Sequence, residues 1–133
     1  MGRRAAVAAA AVALGCVACG HQAAARPSGC VRVFFDGRDE GVTTPAHIRA
    51  VREHLAAMDD KIISLRFVSK AEALARMKRR RPYFVARLPY NPFPASFEAT
   101  PGSVDDAHAI VDALTPRPRG VHLVKYSRSP PHC

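Results

Sequence analysis

Apolar and polar residues recur along this chain with a period that changes from one segment to the next. Between Val31 and Phe35, Val31, Val33 and Phe35 alternate with Arg32, Phe34 and Asp36, the two-residue period of a strand. From Pro45 the period lengthens. Ile48, Val51, Leu55 and Met58 are spaced by three and four, which gives one apolar stripe along a helix. Thr44 stands before that stripe as an N-cap, and Pro45 takes the first helical position, where a missing N–H costs nothing. Asp59-Asp60 ends the stripe. Ile62 to Val68 returns to period two, with Ile63, Leu65 and Phe67 on one face and Ser64 and Arg66 on the other.

Ser69-Lys70-Ala71-Glu72 has the spacing of a capping box and opens a second helix, whose Leu74 and Met77 are expected to face inward. The pattern then breaks. Prolines at 82, 89, 92 and 94 exclude a regular element throughout, although Tyr83 to Leu88 leaves room for a turn or two of helix. Phe93 and, just beyond, Phe97 are assigned to the core. Ala95 to Thr100 reads as a short third strand and Pro101-Gly102 as a turn. Ser103 or Asp105 caps a third helix with Ala107, Ile110, Val111 and Leu114 on its stripe, and Val121 to Tyr126 is the final strand. With the second helix and the irregular segment set aside, this order is the split β-α-β. The predicted fold class is therefore α+β, a ferredoxin-like sandwich with a small inserted lobe between the second and third strands.

That topology lays the last strand antiparallel beside the first. Cys30 immediately precedes the first strand, and Cys133 follows the last by a short Ser-Pro-rich tail. A bridge between them is expected. It closes a loop of roughly a hundred residues and contributes about 2–4 kcal/mol.

The N-terminus reads as an export signal rather than as part of the fold. Arg3 and Arg4 form a positive start, Ala5 to Leu14 carry no polar side chain, and small residues follow. Ten helical residues rise about 15 Å, half of a bilayer core of about 30 Å, too short for an ordinary span. A cysteine behind small residues suggests lipidation: Cys19 follows Val17-Ala18, and Cys16 is the other candidate. Ala23-x-Ala25 instead suits an ordinary signal peptidase and a freely secreted product. The expected organisation is a signal and linker over residues 1–25, one domain over 30–127 and a tail over 128–133. The expected location is extracytoplasmic, on the outer face of a bacterial cell membrane through a lipid anchor, or secreted.

The chain carries a formal charge of +9, which falls to +7 without the two N-terminal arginines. Part of that charge is concentrated in Lys78-Arg79-Arg80-Arg81, a candidate electrostatic patch for acidic proteins, anionic head groups or wall polymers. Export argues against nucleic acid as the partner. No metal or cofactor site is expected: His47 and His54 are seven apart on one helix, and His108, His122 and His132 are isolated. No nucleophile elbow or Gly-rich phosphate loop is visible, and the reading is of a non-enzyme. An acylphosphatase-like phosphohydrolase would use Arg38 in the loop after the first strand, but Asp36, Asp39 and Glu40 there would repel phosphate.

Two further stretches carry a family likeness. Val68-Ser69-Lys70-x-Glu72-Ala73-Leu74, followed by Asn91-Pro92-Phe93-Pro94-Ala95-Ser96-Phe97-Glu98, resembles the extracytoplasmic domain of FtsX, over about Val31 to Ser127. FtsX is a division-associated permease of the ABC-transporter type. The resemblance implies an outer domain that engages a cell-wall hydrolase or its activator. FtsX proteins have four transmembrane helices and signal from the ATPase FtsE, whereas no stretch of this chain is long enough for one, so partner binding is the part of the role expected here. In that family an inserted lobe carries exposed apolar side chains that contact the partner. The matching stretch is Met77 to Phe93, and the implied contact residues are Met77, Tyr83, Phe84, Leu88 and Tyr90. The adjacent basic run would steer an acidic partner.

Overall fold

The computed structural model describes residues 28–37, 43–129 and 133. In chain order the elements are β1 (Cys30–Phe35), α1 (Pro45–Ala56), β2 (Ile62–Val68), α2 (Lys70–Arg80), α3 (Pro82–Val85), β3 (Ser96–Pro101), α4 (Val104–Ala113) and β4 (Val121–Ser127). The strands form one sheet in the order β2-β3-β1-β4, and every neighbouring pair is antiparallel. This is the strand order of the split β-α-β sandwich, with α2 and α3 interposed between β2 and β3.

One face of the sheet makes the core. Val31, Val33 and Phe35 of β1 and Phe97 and Ala99 of β3 pack against Val51 and Leu55 of α1 and Ala107 and Ile110 of α4, with Leu114 just beyond it. Each large side chain buried this way contributes about 1.5–3 kcal/mol. Phe97 sits at the centre, its ring 5.7 Å from Phe35 and 5.2 Å from Phe67, and the Arg52 guanidinium lies 5.6 Å above it.

Local chemistry places the helices. The Thr44 hydroxyl accepts from His47 N at 3.2 Å, and Thr44 N donates to His47 Nδ1 at 3.3 Å, so the capping box of α1 closes on a histidine. Ser69 Oγ accepts from Glu72 N at 3.1 Å, while the Glu72 carboxylate turns to arginines instead of closing the box. Ser103, not Asp105, caps α4 and accepts from Asp106 N at 3.0 Å.

Three inward assignments require correction. Ile63 is 47% exposed because an irregularity between Ile62 and Ser64 inserts one extra residue opposite β3. Ile62 therefore packs on the core and Ile63 faces out. The helix α2 contributes no fully buried residue, and its Met77, like Phe93, lines the opposite face of the sheet. The core stripe was already filled by α1 and α4, so the inserted segment covers the other side.

Cys30 and Cys133 are joined by a disulfide spanning 103 positions. Cys30 is completely buried, and Cys133 N donates to Thr100 Oγ1 at 3.4 Å, which seats the C-terminal residue across the ends of β1 and β3. Just before the bridge, Gly29 has φ +102°, and a Cβ there would stand 2.3 Å from the Ser127 carbonyl oxygen, so only glycine fits. Tyr126 Oη donates to the Ser28 carbonyl at 2.8 Å and fixes the same corner.

Cys30→Ala together with Cys133→Ala should lower the unfolding free energy by about 2–5 kcal/mol. Urea titrations of the two proteins check this, and an unchanged midpoint would mean that the sheet register alone holds this end.

Candidate partner-binding site

The face of the sheet opposite the core carries a transverse row of charge. The register aligns Arg66 of β2 with Glu98 of β3, Glu98 with Arg32 of β1, and Arg32 with Lys125 of β4. Glu98 is the acid in this row and is only 4% exposed. A carboxylate so placed needs charged donors. Arg32 Nε donates to Glu98 Oε1 at 3.3 Å, and Arg76 Nη1 of α2 donates to the same oxygen at 2.9 Å. Glu98 Oε2 has no hydrogen-bond partner among the described residues.

The second carboxylate of the network is Glu72, in the first turn of α2. Its Oε1 accepts from Arg76 Nη2 at 3.2 Å, one turn along the helix, and from Arg66 Nη2. Arg76 thus bridges Glu72 and Glu98. Its guanidinium is held above its ordinary range chiefly by the hydrogen bond to Glu98, against an opposing cost of partial burial. These bonds fasten α2 over the open face.

Asn91 fastens the other end of the insertion. Its Nδ2 donates to the Lys70 carbonyl at 2.8 Å, and its Oδ1 accepts from Phe93 N at 3.0 Å, which returns the chain to β3 beside the start of α2. Between α2 and the sheet lies an open cleft of about 720 Å³. Phe34, Val68, Met77, Phe93 and Pro94 provide its apolar surface, and Arg32, Arg66, Arg76, Arg79 and Arg80 its charge.

The structure divides the residues singled out from sequence between two places. Tyr83 and Phe84 on α3, and Tyr90 after it, are 85%, 51% and 73% exposed and form an aromatic tip on the insertion. Arg81 is exposed and its N–H closes α2 on the Met77 carbonyl at 2.8 Å, leaving Pro82 to begin α3. Met77 is half-buried in the cleft, and Leu88 is half-buried. Of the basic run, Arg79 and Arg80 line the cleft, while Lys78 and Arg81 are exposed. Phe97 is in the core as expected, but Phe93 is not.

Arg32, Arg66, Arg76 and Glu98 escaped notice in the sequence. Arg32, Arg66 and Glu98 are each the one charged residue in the outward row of β1, β2 and β3, a pattern that reads equally as a solvated sheet face. Histidines do structural work: besides the cap at His47, His54 Nε2 lies 3.0 Å from the Ala113 carbonyl, and the His108 ring meets Tyr126 edge-on. Among the described residues no group of three or more His, Cys, Asp or Glu side chains is placed to hold a metal ion. Cys16, Cys19, Arg38, Asp39, Glu40 and the signal region lie outside the described residues. Among those described, no helix is long and apolar enough to cross a membrane.

The architecture defines an α+β domain with a helical insertion that presents an aromatic tip and an arginine-lined cleft. The chain belongs to the FtsX extracellular domain family, whose sequence model matches residues 30–130. Among solved structures it is similar to extracellular domain 1 of FtsX from S. pneumoniae in complex with undecyl-maltoside, with a TM-score of 0.57 and 17% identity over 74% of this chain and 93% of that one. At that identity the likeness speaks for the fold. No curated protein matches the chain.

Glu98→Ala should destabilise the domain by about 2–4 kcal/mol, because it strands Arg32 over the sheet and leaves Arg76 with Glu72 alone. Glu72→Ala, whose carboxylate is partly solvated, should cost less than about 1 kcal/mol. Chemical denaturation separates the two, and equal losses would show that Glu98 does not organise the open face.

Proposed function

We propose that this domain is an extracytoplasmic binding module that engages a cell-envelope protein, such as a peptidoglycan hydrolase or its activator, through the insertion between β2 and β3. It acts by binding and carries out no catalysis. The observation that carries this reading is the aromatic tip. Tyr83, Phe84 and Tyr90 stand largely in solvent on a short, proline-bounded element, although burying them would have been favourable. Rigid aromatic side chains lose little conformational freedom on contact and supply large area, which is the chemistry of interface anchors.

Family membership supports the same reading, because FtsX extracellular domains face the envelope. The disulfide suits an oxidising compartment. Attachment to the membrane through an acylated Cys19 or Cys16 is the further part of this proposal. It would keep the domain close to envelope partners.

Crosslinking in intact envelopes, comparing the wild type with Phe84→Ala plus Leu88→Ala, tests the reading. The wild type should yield a discrete crosslinked protein, and the double variant should lose it while its thermal unfolding stays cooperative. Equal capture by both proteins would remove the insertion as the contact surface.

A further inference from the structure

The cleft between α2 and the sheet is chemically different from the aromatic tip. Among the described residues, five arginines line it and no lysine does, and Glu98 is the one acidic side chain on its surface. Glu98 is already engaged by Arg32 and Arg76, and Arg66 is engaged by Glu72. Arg79 and Arg80 have no acidic partner among the described residues, and both are exposed at the cleft rim. The rim therefore carries uncompensated guanidinium charge above an apolar surface made by Phe34, Met77 and Phe93.

We propose that this cleft is a receptor for an acidic peptide segment of the partner, with carboxylates on Arg79 and Arg80 and an apolar side chain against Phe34, Met77 and Phe93. The inference rests on the reading of the domain as a binding module and names the chemistry of a second contact. Guanidinium groups pair bidentately with carboxylates, as they do with phosphates, so an all-arginine rim suits an acidic ligand better than lysines would. Two features favour a peptide among such ligands. A concave cleft admits a chain, whereas the plane of lipid head groups meets flat or convex surfaces. The apolar floor of Phe34, Met77 and Phe93 receives a side chain that a free phosphate lacks. A volume near 720 Å³ is within the ordinary range for an occupied pocket.

Fluorescence anisotropy on the purified full-length chain tests this with a short labelled peptide of alternating Glu and Leu. Binding should saturate, weaken as sodium chloride screens the charges, and fall at least about tenfold in Arg79→Ala plus Arg80→Ala. Arg49→Ala plus Arg119→Ala removes the same charge away from the cleft and should leave binding within about twofold. A peptide of alternating Lys and Leu should not bind. The proposal is overturned if the acidic peptide does not bind, or if the two arginine pairs lower its affinity equally. It is also overturned if Arg79 and Arg80 govern only adhesion to phosphatidylglycerol vesicles. Any of these results, beside a crosslink still lost in Phe84→Ala plus Leu88→Ala, would remove the cleft and leave the aromatic tip as the contact.

Discussion

A carboxylate taken almost wholly out of water must be answered by positive charge, and the open face of this domain is arranged around that demand at Glu98. Arg32 reaches it from the neighbouring strand and Arg76 from the overlying helix, both onto one oxygen. The helix so recruited has no fully buried side chain of its own. Its position depends on ion pairs rather than on a dry apolar interface. The main core, on the other face, is an ordinary layer of aliphatic and aromatic side chains from β1, β3, α1 and α4.

This contrast between the faces has functional weight. A helix packed on a dry core leaves no room for a ligand. A helix held above a sheet by long guanidinium side chains leaves a cleft beneath it, and that cleft inherits whatever charge the pairing does not use. The insertion thus offers an aromatic tip suited to a broad apolar contact and an arginine rim suited to a charged segment. A partner that used both would be recognised by shape and by electrostatics together. The disulfide supports the arrangement from the far end, since Cys133 is seated on Thr100 and lines the same cleft.

Much of the fold was legible because the core obeys local periodicity. The stripes Val51–Leu55 and Ala107–Ile110–Leu114, and the alternation of Val31, Val33 and Phe35, name their buried faces without reference to anything distant. The disulfide was legible too, because strand order brings the start of β1 and the end of β4 together at one end of the sheet. Ile63 was misplaced because an extra residue in β2 resets the alternation, and one residue is enough to exchange the faces of a strand. Met77 and Phe93 were misplaced for a different reason. Their apolarity is visible in sequence, but whether they join the core or the opposite face depends on which helices reach the core first.

By itself the sequence determined the α+β class, the order of the elements, the family and the aromatic character of the insertion, since each rests on neighbours in the chain. Only the tertiary structure decided which charges meet. Arg32, Arg66, Arg76 and Glu98 come from three strands' worth of separated sequence and one helix, and electrostatic pairing depends on distance in space and on exclusion of water. Neither quantity is written along the chain. Both exist only once β3 has been laid between β2 and β1 and α2 has closed over them.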